Sequence, residues 1–101
     1  MRRLVITHAA RRDLKEIAEH TESTWGSAQK RAYLSQIRQK LQSLRESPGL
    51  GTSRPEVRDG CRSLGSGRHQ IFYREARTAV IVLRVLHDRM NVHRHLGQEE
   101  L

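Results

Sequence analysis

The sequence predicts an α+β domain: a helical hairpin packed on a mainly antiparallel sheet, in the order β-α-α-β-β-β. Three observations lead there. Residues 79–86 (AVIVLRVL) form the only long apolar run. Their β-branched side chains suit a pleated, buried surface, and the run is too short to cross a membrane. Upstream, apolar residues recur at helical spacing in two successive stretches. Helices followed by strands then argue for segregated layers. At 101 residues the chain is expected to be one domain, 1–101.

Residues 3–7 (RLVIT) read as a short first strand. Thr7 is placed to cap the next helix, its hydroxyl accepting from a free backbone N–H. Ala10, Leu14, Ile17, Ala18, Thr21 and Trp25 make one apolar stripe, which predicts a helix over 9–23. Gly26 breaks it, and Ser27 offers a second cap. The next helix spans 27–46, with Leu34, Ile37, Leu41 and Leu44 as a narrow seam for packing on the first. Ser47-Pro48-Gly49 ends it, because proline disfavours helical geometry in the residue before it. Residues 50–60 are a loop, 61–64 a weak strand, and Gly65-Ser66-Gly67 a turn.

Residues 68–74 read as the antiparallel neighbour of 79–86, joined through 75–78. Strict alternation along the last strand puts Ile81, Leu83, Val85 and His87 on one face and Val80, Val82, Arg84 and Leu86 on the other. Arg84 among aliphatics marks that second face as the open one. There it could hold a partner's carboxylate or phosphate. A short turn or helix is expected around 91–95.

Nineteen Lys and Arg oppose eleven Asp and Glu, for a net charge of +8. None of the lysines follows Lys40, so the second half relies on arginine, whose planar fork suits phosphates and carboxylates. An acidic partner is implied. The single cysteine, Cys61, excludes an intrachain disulfide, and no zinc-ligand spacing exists. His87, His93 and His95 match no metal template, and no cofactor motif is present. The N-terminus lacks a signal-peptide core, so cytoplasmic residence is expected.

WG stands between the helices and SPGLG after the second, followed by RSLGSGRHQIFYR and VLRVLHDRMNVHRHL. With the element order, these stretches resemble ParE toxins of the RelE/ParE superfamily. The resemblance implies the small RelE/ParE-like toxin fold and a cognate antitoxin that neutralises the toxin, in a hetero-oligomer with it. It also implies DNA gyrase as the target of the free toxin, and contact with DNA only through the antitoxin. RelE-type relatives instead cut messenger RNA at the ribosome.

An RNA-cleaving toxin needs a general base, a general acid and cations around the phosphate. RelE-type relatives supply lysines and arginines with a tyrosine near the end of the last strand. Here His87 is followed by Asp88, and no tyrosine follows Tyr73. The expectation is therefore a non-enzymatic binder without catalytic residues. The candidate partner-binding set is Arg62, Arg68, Arg74, Arg84, His87 and Arg89. Were the chain an RNase, His87, Arg62 and Arg84 would be the catalytic candidates.

Overall fold

The computed structural model describes residues 2–90. Strand β1 (Arg3–Ile6) leads into helix α1 (His8–Trp25) and helix α2 (Ser27–Glu46). A 3-10 turn, Pro48–Leu50, precedes β2 (Thr52–Ser53), β3 (Cys61–Ser66), β4 (His69–Glu75) and β5 (Ala79–His87). The expected segment at 91–95 lies outside the described residues.

The sheet runs β1-β5-β4-β3-β2. It is mixed: β1 lies parallel to β5, and the other pairs are antiparallel. Thr7 makes the first corner. Its hydroxyl accepts from Ala10 N–H at 3.1 Å, capping α1, and donates to Leu83 O at 2.9 Å. The cap at α2 differs from expectation. Gly26, at φ +93°, is the N-cap, and Ser27 Oγ instead donates to Glu22 Oε2 at 2.8 Å.

The main core lies between the helices and the sheet. Ala10 and Ile17 of α1 and Ile37, Leu41 and Leu44 of α2 pack on Ile71, Tyr73, Val80, Val82 and Val85. Tyr73 fixes the chain after α2: its hydroxyl donates to Pro48 O at 2.7 Å and accepts from Gly51 N–H at 2.8 Å. Trp25, assigned by its spacing to the apolar stripe, is 71% exposed. The stripe rotates away from the sheet before α1 ends, so the last turn faces solvent.

Alternation suggested that the face of Val80, Val82, Arg84 and Leu86 is the open one; Val80 and Val82 instead lie buried under the helices, and the opposite sheet face is not open either. Cys61, Phe72, Leu83 and Leu86 are buried there, with Val57 of the 54–60 loop packed against them. The Arg54 guanidinium sits 5.5 Å from the centre of the Phe72 ring. The alternation itself fails at one point. Pairing passes from Tyr73↔Val82 to Phe72↔Arg84, so β5 carries one more residue than β4 here. Such a bulge reverses the facing of everything beyond it. Val80, Val82 and Val85 therefore share the helix side, while Ile81, Leu83 and Leu86 share the other.

Candidate functional site

Arg84 stands at this bulge, and it reaches α1 rather than an open face. Its Nε donates to Asp13 Oδ2 at 2.7 Å and an Nη to Oδ1 at 2.8 Å. Val85 N–H, also beside the bulge, donates to Oδ2 at 2.9 Å. Both side chains are largely buried. A buried charge persists only when paired and hydrogen-bonded, and this bidentate fork meets that demand. The pair locks α1 to the bulge. Sequence reading missed Asp13, although a signal was present: Ala10, Asp13, Ile17 and Thr21 share one helical stripe, and all four are buried. A carboxylate on that stripe needs a cation, and Arg84 is the one cation in the apolar strand.

Beyond the bulge, β5 delivers His87 to the end of the sheet, opposite His69 of β4. The rings meet edge to face with centres 5.3 Å apart. Tyr33 of α2 approaches from the helical layer, its hydroxyl 2.6 Å from His69 Nδ1. That hydroxyl also lies 3.2 Å from Ser66 O and accepts from Arg68 N–H at 3.0 Å. It thereby holds the β3–β4 turn. Gly67, at φ +59°, makes the close approach possible, since a Cβ there would lie 2.5 Å from Tyr33 Cε1. His87 Nδ1 is 3.0 Å from Asp88 Oδ1 and accepts from Arg89 N–H at 3.1 Å.

Burial, then the neighbouring His87, lowers the pKa of His69 below its ordinary value. Desolvation disfavours the imidazolium, so His69 rests neutral. Two adjoining hollows, of about 320 and 290 Å³, share His20, Thr21, His69 and His87 as walls. Trp25, Tyr33 and Arg68 line the first, and Asp13, Glu16 and Met90 the second. The cleft holds a phenol, two imidazoles in contact, and an exposed arginine. Such a set can accept hydrogen bonds, donate them or pass a proton.

The candidate arginines divide by position. Arg68 and His87 come together at this cleft, and Arg89 meets it through its backbone N–H on His87 Nδ1. Arg74 lies five positions along β4 from His69, about 17 Å away at the usual strand rise. Arg62 pairs with Tyr73 and donates to Gly51 O at 2.8 Å, bracing the loop before β2. The three residues singled out for an RNase, His87, Arg62 and Arg84, are thus not assembled. Tyr33 and His69 join His87 instead. Tyr33 was invisible to a reading that sought a tyrosine after the last strand, because it arrives from α2. Among the described residues no group of His, Cys, Asp or Glu is arranged to hold a metal ion. His93 and His95 lie outside them. No described helix is long and apolar enough to cross a membrane.

The family model for the ParE toxin of the type II toxin–antitoxin system matches residues 4–92. The chain is 37% identical over 95 residues to Toxin ParE1 of Mycobacterium tuberculosis, covering 93% of this chain and 97% of that protein. It is 35% identical over 92 residues to Toxin ParE1 of Caulobacter vibrioides, covering 91% and 95%. A solved structure described as the chromosomal ParDE TA system from P. aeruginosa superposes with a TM-score of 0.75 at 22% identity, covering 86% of this chain and 96% of that one. That likeness is one of fold. On the strength of the family match and these relatives, the chain belongs to the ParE toxins of type II toxin–antitoxin systems.

Proposed function

We propose that this chain is a cytoplasmic toxin neutralised by a cognate antitoxin in a hetero-oligomer, and that the free protein inhibits DNA gyrase by binding, without catalysis. The observation that carries the antitoxin half is a groove of about 460 Å³ beside the edge strand. Leu4, Ile6, Leu14, Leu34, Ile37 and Leu41 line it, with Lys15 and Arg38 among its walls. An amphipathic helix with acidic flanks fits such a groove, and β1, at the sheet edge, can accept an added strand. Family membership supports the gyrase half, and the cleft around Arg68, His69 and His87 is the exposed polar surface offered to the target.

A supercoiling assay with folded, antitoxin-free protein tests the target. Inhibition is expected, and full gyrase activity at saturating protein would refute it. Leu34→Asp tests the groove: antitoxin binding should weaken at least tenfold, and unchanged affinity would place the antitoxin elsewhere.

One observation favours a second reading, ribosome-dependent cleavage of messenger RNA. Tyr33, His69 and His87 form a contiguous set able to take the 2′-hydroxyl proton and return one to the leaving oxygen. Primer extension on translated messages after induction distinguishes the two. Cuts abolished by His87→Ala would establish this reading, and their absence would leave binding as the mechanism.

A further inference from the structure

At the far end of β5 from the histidines, the chain gathers a different surface. Arg2, Arg45, Arg77, Thr78 and Glu46 line an open hollow of about 570 Å³. Arg2 is held in place: an Nη pairs with Glu75 at 2.5 Å, and Nε donates to Ala76 O at 3.4 Å. Arg45 is held as well, donating from Nε to Arg2 O at 3.1 Å and from Nη1 to Gln42 Oε1 at 3.2 Å. Arg77 is exposed and makes no hydrogen bond or ion pair among the described residues.

We propose that this hollow binds the phosphodiester backbone of duplex DNA directly, without reading its sequence. Guanidinium forks recognise phosphate oxygens in pairs, and two of these three are already oriented by the fold. The wall contains no aromatic or large apolar side chain. It therefore offers no aromatic plane on which to stack a base and no apolar pocket to seat a nucleoside. It also lacks the buried aromatic or aliphatic anchor on which a protein partner's affinity normally rests. An open, cationic, anchor-free hollow fits a repeating anion better than a compact ligand. The contact differs from one made to DNA only through an antitoxin. It is also independent of whether gyrase is the target.

The test is fluorescence anisotropy of the full chain, free of other proteins, with a labelled mixed-sequence duplex between 50 and 200 mM salt. Three phosphate contacts predict a log–log salt slope near −2.7, and Arg77→Ala should flatten it by about 0.9 while weakening binding about eightfold at 0.1 M salt. Arg77→Glu should weaken it further. Arg31→Ala, an exposed cation about 21 Å along α2 from Arg45, should leave the slope within error. Inorganic pyrophosphate and a polyglutamate peptide complete the set. Equal losses in Arg77→Ala and Arg31→Ala would overturn the proposal. So would pyrophosphate binding with no duplex binding, which would make the hollow a free-phosphate site, or polyglutamate binding in preference to the duplex.

Discussion

The middle of β5 and its histidine end hold polar groups in opposite ways. At the bulge, Arg84 and Asp13 are buried, matched fork to fork, and committed to each other. At the end, Tyr33, His69 and His87 touch but remain beside solvent-accessible hollows. The first arrangement spends a charge pair on joining helix to sheet. The second leaves its chemistry available. Residue type alone does not separate them, since an arginine serves structure at position 84 in β5 and lies exposed at position 68 in the β3–β4 turn.

That contrast can be broken from either side. Asp13→Ala should have the largest effect, destabilising the fold by about 3–5 kcal/mol in urea or guanidinium titration, because it removes the buried carboxylate that accepts both Arg84 hydrogen bonds and the one from Val85 N–H. The double change Asp13→Leu with Arg84→Met should recover much of that loss; failure to recover would mean that the bulge needs the carboxylate for Val85 N–H as well. Gly67→Ala should cost about 1–2 kcal/mol by the same measurement, since alanine resists φ +59° and its Cβ would displace Tyr33. Tyr33→Phe should cost about 1 kcal/mol, the usual worth of a partly exposed hydrogen bond, and should loosen the β3–β4 turn in hydrogen exchange at Arg68.

The pH dependence sharpens the comparison further. His69 has a folded pKa below its ordinary 6.5, so the unfolded chain binds a proton first as pH falls. Its contribution to stability is complete above pH 6.5 and is lost as pH drops through the folded pKa. Unfolding midpoints should decline across that window, and His69→Gln should reduce the decline. Trp25→Ala should be the mildest change, within about 0.5 kcal/mol, because the indole is 71% exposed. A larger loss would return Trp25 to the core.

The elements were legible because local patterning suffices for them. Helical spacing gave α1 and α2 nearly to their ends, and β-branched density gave β5. The two-residue β2 escaped notice, being too short to carry a period. The facing of Arg84 was illegible because one extra residue in β5 shifts the pleat, and nothing in AVIVLRVLH marks where the shift falls. Asp13 was legible in principle from its place on the stripe. The cleft was not, since Tyr33 and His69 stand 36 positions apart and meet only through tertiary packing.

The parallel pairing of β1 with β5 also bears on how the chain is born. Arg3 hydrogen-bonds Thr78, and Thr7 reaches Leu83, so the first strand finds its neighbour only in the last one. A ribosome releases these segments in order, and the hairpin of α1 and α2 must wait for the sheet it covers. A growing polypeptide of this kind keeps the apolar faces of both helices uncovered until β5 has emerged, so its core closes in a single late step rather than piece by piece.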